Sequence, residues 1–283
     1  MTEKDLIIGA YTNYDWSKIK YWANSIDKCG FKGDRVVIVY NSDQDTVRKL
    51  TDLGFKIWAF GRKENGDFHW PANSRLVIVV ERFLHLWSYL NQLPNNHYRY
   101  VISTDMKDVV FQSDPSEWLE NNIGDRQLVA SSESLKYKDE PWGDDNLKGS
   151  YPMVYEKMKE LPIWNCGVQA GHMQAIKDLW LQIYLMSIAG QRPNCDQAAY
   201  NILLNSVAWS KLTKFTMSES GWACQAGTTV DPLKIDNFRG KLLEPEPTWS
   251  GGLAKTSSHI PHVILHQWDR IPTWYKDIEQ KYG

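Results

Sequence analysis

The sequence predicts an α/β fold in which a mostly parallel, twisted sheet is flanked by helices. Strand-like apolar runs alternate with helical patterns over roughly the first 60 residues, and this alternation is typical of a parallel sheet covered on both sides. The nearly continuous apolar run at residues 35–40 indicates a strand buried on both faces. No repeat or low-complexity linker divides the 283 residues, so we expect one domain over residues 1–283.

The individual elements follow from periodicity and from chain-breaking residues. Ile19, Trp22, Ala23 and Ile26 recur at helical spacing, and Gly54 ends the next helical pattern. In chain order we predict strands at residues 6–10, 35–40, 55–60, 100–104 and 163–171, and helices at residues 16–29, 45–53, 76–90, 173–189, 194–205 and 274–282. Residues 130–162 are rich in polar and turn-forming residues, and we expect an irregular functional loop there.

Charge and composition exclude several function classes. The formal net charge of -2 and the lack of a basic run argue against nucleic acid as a partner. No apolar stretch is long enough to span a membrane and no secretory signal is evident, so we expect a cytoplasmic protein.

The four cysteines form no C-x-x-C pair and are expected to be reduced. Fourteen tryptophans fit either an aromatic-rich core or the stacking of sugar rings. The oligomeric state stays open.

An acidic cluster ends the strand at residues 100–104. Asp105 and Asp108 lie where open α/β sheets bind their ligands, at the carboxyl end of a strand. Mg²⁺ and Mn²⁺ prefer oxygen ligands and are often held by one or two carboxylates together with substrate phosphates. The cluster therefore indicates a divalent metal beside a nucleotide diphosphate. A purely structural alternative is that Asp105 caps the following turn while Asp108 faces solvent.

Six segments together resemble those of A-type (GT-A) nucleotide-sugar glycosyltransferases and span nearly the whole chain. They are Tyr11-Thr-Asn13, Arg82-Phe83, the D-x-K-D-V-V-F-Q-x-D-P block from Asp105 to Pro115, residues 164–171, Cys195-Asp-Gln197, and residues 266–270. The size and the aromatic content are also similar to soluble glycosyltransferases of large algal viruses, for which the host cytoplasm would be the location. The resemblance implies a nucleotide-binding half at residues 1–115 and an acceptor-binding half at residues 116–283.

The resemblance implies a metal-dependent hexosyl- or pentosyltransferase that uses Mn²⁺ or Mg²⁺. Asp105, Asp108 and His266 are the implied metal ligands, since A-type enzymes often complete the metal site from the C-terminal segment. The chain departs from the usual D-x-D motif, because Lys107 occupies the third position and the second acid follows at Asp108. Lys107 could itself supply positive charge near the phosphates. His266 as an ordinary core residue is the alternative.

Asp196 is the implied catalytic carboxylate. In an inverting enzyme it would be the general base that takes the proton of the acceptor hydroxyl, whereas in a retaining enzyme it would lie near the anomeric carbon without that duty. Inversion is our working interpretation. A structural alternative is a helix-capping acid. The implied donor-binding residues are Tyr11, Thr12 and Asn13 for base and ribose, and Arg82, Asp105, Lys107, Glu133, Asn165, Gly167 and Arg270 for the remainder.

The donor, favoured as a UDP-sugar over a GDP-sugar, and a glycan acceptor are expected to meet at the loop containing Glu133. Acceptor contacts are expected from Trp142, Asp144, Asp145 and Trp222, with Trp249 as a further stacking candidate. Two other functions stay open. A sugar nucleotidyltransferase shares the sheet architecture, but residues 11–15 lack the Gly-rich triphosphate loop it needs. A non-enzymatic carbohydrate-binding protein would account for the tryptophans alone.

Overall fold

A computed structural model describes residues 4–70 and 77–283. The strands are β1 (Leu6–Tyr11), β2 (Asp34–Val39), β3 (Lys56–Ala59), β4 (Tyr100–Thr104), β5 (Val109–Phe111), β6 (Leu128–Lys136), β7 (Pro162–His172), β8 (Thr213–Thr216), β9 (Ala223–Gln225), β10 (Thr248–Ser250), β11 (Leu253–Lys255) and β12 (Ile264–His266). The α-helices are α1 (Trp16–Lys28), α2 (Gln44–Asp52), α3 (Ile78–Asn91), α4 (Pro115–Asn122), α5 (Pro141–Ser150), α6 (Tyr155–Met158), α7 (Met173–Ile188), α8 (Asp196–Leu204), α9 (Val207–Leu212), α10 (Ala226–Thr229), α11 (Ile235–Phe238) and α12 (Tyr275–Tyr282).

Seven strands form the central sheet in the order β3-β2-β1-β4-β7-β6-β8. Within it only β7 runs opposite to its neighbours, since it pairs antiparallel with both β4 and β6 while the other pairings are parallel. The prediction of a mostly parallel sheet flanked by helices is confirmed. Residue 76, where the third helix was predicted to begin, lies outside the described residues, and α3 begins at Ile78.

Alternate residues of the first strands face opposite sides of the sheet, and both sides are buried. Ile7 packs in a core with Trp22 of α1, whereas Ile8 packs in a second core with Phe83 of α3 and Trp180 of α7. Because side chains of a strand alternate between faces, a run that is apolar at every position requires a layer of helices on each side. The parallel strands consequently end together at one edge.

A small three-stranded sheet brings the C-terminal segment to that edge. Its order is β5-β12-β9, with β12 antiparallel to β5 and parallel to β9. His266 pairs with Val109, the residue that directly follows Asp108. This pairing places His266 beside the acidic cluster.

The prediction of a loop over residues 130–162 is wrong. β6 and α5 occupy much of this segment, and the polar residues of β6 are buried. Ser131 accepts a hydrogen bond from Gln225, and Ser132 accepts one from the backbone N–H of Ser134, so the strand buries polar groups without leaving these unsatisfied. α5 begins with Pro141 after Glu140, whose side chain accepts a hydrogen bond from the N–H of Gly143. A buried strand with many polar residues has the composition of a loop, so composition alone predicts a loop in this segment.

The tryptophans mainly serve the core. Seven of the fourteen are buried and only Trp142 is exposed, so the aromatic-core explanation accounts for most of them. Trp249 stacks on Trp274 with ring centroids 4.5 Å apart, within the apolar cluster around α12, and this packing accounts for it without an acceptor. All four cysteines are free, as predicted. Among the described residues, no helix combines the length and apolar character needed to cross a bilayer.

Candidate active site

Two cavities adjoin at the carboxyl edge of the central sheet. The larger has a volume of about 460 Å³ and the smaller of about 270 Å³, and both are lined by Val79, Arg82 and Asp105. The remaining residues lining the smaller cavity all lie between positions 10 and 108, whereas the larger cavity is lined chiefly by later residues. A ligand with two parts could therefore extend past Arg82 and Asp105 from one cavity into the other.

Asp105 is held next to His266 by the close approach of β7. The backbone N–H of Asp105 donates to the carbonyl of Gly167 across 2.8 Å. A Cβ atom on residue 167 would lie 2.6 Å from Oδ2 of Asp105 and 2.8 Å from Cε1 of His266. Because real Cβ atoms do not approach other groups so closely, only glycine fits between these two side chains.

Asp105, Asp108 and His266 present a donor set suited to a divalent metal. One ligand atom from each lies within 4.8 Å of the other two. Nε2 of His266 is 3.5 Å from Oδ1 of Asp108 and 3.8 Å from Oδ2 of Asp105. Two carboxylates and an imidazole match the ligand preferences of Mn²⁺. The three residues that the sequence singled out as metal ligands are thus brought together.

Gln225 fixes the tautomer of His266. Its amide nitrogen donates to Ser131, so its oxygen accepts the hydrogen bond that joins it to Nδ1 of His266 at 2.7 Å. Nδ1 therefore carries the proton, and in the neutral ring Nε2 keeps a free lone pair directed at the two carboxylates. Burial opposes a charge on this ring, but Asp108 and Asp105 outweigh burial and raise the pKa of His266. No local sequence pattern points to Gln225, because its contact with His266 depends on the pairing of β9 with β12.

Arg82 links the acidic cluster to the predicted catalytic residue. Its Nη1 donates to Asp105, and its Nη2 lies 3.6 Å from Oδ2 of Asp196. Burial raises the pKa of Asp196, Arg82 opposes this shift and the nearby Asp105 carboxylate adds to it, with a net pKa of about 6. Arg82 was predicted to contact the donor, and in the structure its guanidinium is shared between two carboxylates.

An irregularity in β6 turns Glu133 into the larger cavity. The pairing of β6 with β7 shifts register between Ser132 and Lys136, and Ser134 adopts a left-handed backbone with φ of 61°. Bulges of this kind redirect side chains near active sites. Glu133 is buried and accepts a hydrogen bond of 2.8 Å from Asn165, whose own oxygen accepts from the N–H of Gly167. Burial raises the pKa of Glu133.

Cations border the site on the side of the C-terminal segment. Lys107 lines the smaller cavity, but its ammonium is 2.9 Å from Asp269, so it is held by that carboxylate. Arg270, for which donor binding is a prediction, lines the larger cavity. Lys234 also lines it and was missed, because nothing in the sequence connects residue 234 to the motifs.

The smaller cavity is lined by the aromatic and polar residues that follow β1. Thr12 lines it, and its hydroxyl accepts a hydrogen bond of 3.1 Å from Asn41. Tyr11 also lines it but is only 2% exposed and donates to Ser42, so its ring does not offer a free stacking face, contrary to our expectation. Tyr14 is the more accessible ring and lies parallel to Tyr11. Asn13 is exposed outside this cavity, in a left-handed conformation with φ of 57°.

Of the four residues predicted to contact the acceptor, Trp142 alone lines the larger cavity. Trp142 is 51% exposed and lines the larger cavity. Trp222 is fully buried against Trp118 and is not available to an acceptor, which corrects that prediction. Asp144 accepts a hydrogen bond from Tyr155, and Asp145 pairs with Arg192 on the surface; both carboxylates thus have partners within the protein, and neither lines the larger cavity.

The fold is similar to that of solved glycosyltransferases. The bifunctional glycosyltransferase WbbM, in its apo structure, matches with a TM-score of 0.56 at 14% identity, over 100% of this chain and 50% of WbbM. The glycosyltransferase GlyE of Streptococcus pneumoniae TIGR4 matches with a TM-score of 0.55 at 10% identity, over 98% of this chain and 60% of GlyE. This chain thus spans half to three fifths of the length of these proteins. No known protein-family profile and no curated protein sequence matches it.

Proposed function

We propose that this protein transfers a sugar from a nucleotide diphosphate, with UDP favoured, to a glycan hydroxyl with the help of a divalent metal. The observation that carries the proposal is the convergence of Asp105, Asp108 and His266 where two cavities adjoin. A sugar nucleotide has a nucleoside at one end, a sugar at the other and a diphosphate between them. Two cavities with a metal-binding cluster near their junction suit that shape.

In the proposed arrangement, Tyr14 and Thr12 contact the base and ribose in the smaller cavity. The larger cavity receives the donor sugar, and Glu133 with Asn165 offers hydrogen bonds to its hydroxyl groups. The division of the chain into a nucleotide-binding half at residues 1–115 and an acceptor-binding half at residues 116–283 agrees with the residues that line each cavity. Trp142 at the larger cavity gives the acceptor a stacking surface.

Asp105, Asp108 and His266 would hold Mn²⁺ or Mg²⁺, which when bound acts as a Lewis acid that neutralises charge on the leaving diphosphate. Asp196 serves as the general base of an inverting transfer and takes the proton of the acceptor hydroxyl. A carboxylate with a pKa of about 6 is ionised at neutral pH and is a stronger base than an ordinary aspartate. Arg82 holds Asp196 and Asp105 in a fixed relation.

Thermal unfolding with nucleotides tests this function. A ligand that binds only the folded state raises the melting temperature by mass action, so UDP with Mn²⁺ should raise it more than CMP with Mn²⁺ does. GDP with Mn²⁺ is measured as well, and comparing its shift in melting temperature with that of UDP distinguishes a GDP-sugar donor from a UDP-sugar donor. If neither UDP nor GDP shifted the melting temperature with Mn²⁺ present, the proposal would fail and a carbohydrate-binding role would take its place.

A further inference from the structure

Lys234 is a cavity-lining cation that the proposed chemistry has not used. It lies half-buried at the start of α11 and lines the larger cavity together with Arg270. Over residues 4–70 and 77–283, neither of these two side chains forms an ion pair with a carboxylate, whereas Lys107 is held by Asp269. Two cations that form no close ion pair within the described residues therefore border one cavity, and Arg270 attracts Asp108 only at longer range.

The acids of the same cavity already have partners within the protein. Asp105 and Asp196 share Arg82, as described above. Glu133 accepts from Asn165, and Glu140 accepts from the N–H of Gly143. Lys234 and Arg270 consequently make one wall of the cavity positive. Arg270 is exposed whereas Lys234 is half-buried, and a half-buried cation that forms no ion pair favours an anionic ligand.

The backbone holds both cations against α10. The N–H of Lys234 donates to the carbonyl of Asp231, whose side chain also accepts from the N–H of Leu233. A Cβ atom at residue 227 of α10 would lie only 2.6 Å from Nη1 of Arg270, so Gly227 lets the guanidinium lie close to the helix. α10 packs against both α11 and the short turn Trp268–Arg270. The positive wall is thus built from two segments that meet on one helix.

We propose that Lys234, together with Arg270, contacts the diphosphate and stabilises its departure. This inference rests on the proposed glycosyl transfer. In that reaction the bond between the anomeric carbon and the bridging oxygen of the β-phosphate breaks, and both electrons stay on that oxygen. The acceptor oxygen forms the new bond to the anomeric carbon, and its proton passes to Asp196. The departing diphosphate gains negative charge, so an ammonium group beside it binds the transition state more strongly than the donor.

Nucleotides that differ only in the β-phosphate isolate this contact. We would measure the affinities of UDP and UMP in the presence of Mn²⁺ for the parent protein and for Lys234→Ala. Losing a charge-assisted hydrogen bond should weaken UDP binding by about tenfold or more and leave UMP binding almost unchanged. The transfer rate should fall by a larger factor than the affinity for the UDP-sugar. Lys234→Arg should recover most of both, because it keeps the charge.

Lys241→Ala is the matched control, since Lys241 follows shortly after, is exposed and lines neither cavity. It should bind UDP as the parent does. Equal UDP binding by the parent and by a folded Lys234→Ala variant would overturn the inference while leaving the proposed function intact. A loss of affinity for the UDP-sugar alone would also overturn it, because Lys234 would then contact the sugar. If the parent bound no nucleotide diphosphate, the inference and the proposed function would fall together.

Discussion

Nε2 of His266 lies 3.5 Å from Oδ1 of Asp108, and this contact joins the C-terminal strand β12 to the acidic turn after β4. The two residues are distant in sequence, and the pairing of β12 with β5 brings them together. The metal-binding cluster and the larger cavity beside it both depend on this arrangement.

Gly167→Ala should disrupt the metal site directly. The new methyl group would collide with Asp105 and His266, which should separate the ligands and cost about 1–3 kcal/mol in the free energy of unfolding. Mn²⁺ titration and urea unfolding would measure both effects. Gly240→Ala is the control, because a Cβ atom there has nothing within 4 Å. Undiminished Mn²⁺ binding in Gly167→Ala would show that these two side chains need not be so close.

Gln225→Leu should weaken Mn²⁺ binding by about 10- to 100-fold, as expected when the partner that orients a ligand histidine is removed. Without an acceptor for the proton on Nδ1, Nε2 is no longer fixed as the free nitrogen. Gln225→Glu keeps an acceptor at this position and should retain most of the affinity. Isothermal titration with Mn²⁺ would compare the three proteins, and equal affinities throughout would rule out this role for Gln225.

Asp196→Asn should lose most of the transfer rate, by roughly 10²- to 10⁴-fold, while still binding UDP. Because the pKa of Asp196 is raised to about 6, the parent's kcat/KM should rise with pH through about 6 and then level off. Steady-state rates between pH 5 and pH 8 would test both statements. Asp178→Asn, at an exposed position on α7, serves as the control. Unchanged turnover in Asp196→Asn would remove this residue from catalysis.

The same substitution should make the protein more stable at neutral pH. A carboxyl group with a raised pKa in the folded state destabilises the fold when it is ionised, so its cost grows as the pH rises from about 4 to about 6 and is constant above. Asp196→Asn should therefore gain about 3 kcal/mol over the parent at pH 8, and less at pH 5. Urea unfolding at the two pH values gives the comparison. A gain independent of pH would contradict the assigned pKa.

Trp142→Ala should raise the KM for the acceptor by up to about tenfold and leave the KM for the donor unchanged, since a stacking contact contributes about 0.5–1.5 kcal/mol. Met153→Ala, at an exposed residue that does not line the larger cavity, is the control. If the variant raised the KM for the donor instead, Trp142 would belong to the sugar-binding end of the donor.

The fold and the centre of the site could be predicted from the sequence, because both depend on local patterns. Alternating apolar runs predicted the strands, and the acids after β4 marked the carboxyl edge of the sheet. Asp196 and His266 were predicted as site residues from the resemblance to A-type glycosyltransferases, and the structure places both near Asp105.

Other features depend on tertiary contacts that no local pattern reveals. Composition predicted a loop at β6, because its serines and Glu133 are polar. In the structure, β7 and β9 supply hydrogen-bond partners for these side chains. Trp222 was predicted to contact the acceptor, but the ring lies in the core beside Trp118. Lys234 enters the cavity only because α10 and α11 pack together.

The most direct test of the account is the affinity of UDP for the parent protein and for His266→Ala, each measured by calorimetry with Mn²⁺ and without it. We expect Mn²⁺ to strengthen UDP binding to the parent by at least about tenfold, because Asp105, Asp108 and His266 would hold the cation and its positive charge would attract the diphosphate. Most of this gain should be lost in His266→Ala. Equal affinity of the parent for UDP with and without Mn²⁺ would contradict the metal-assisted transfer proposed for this site.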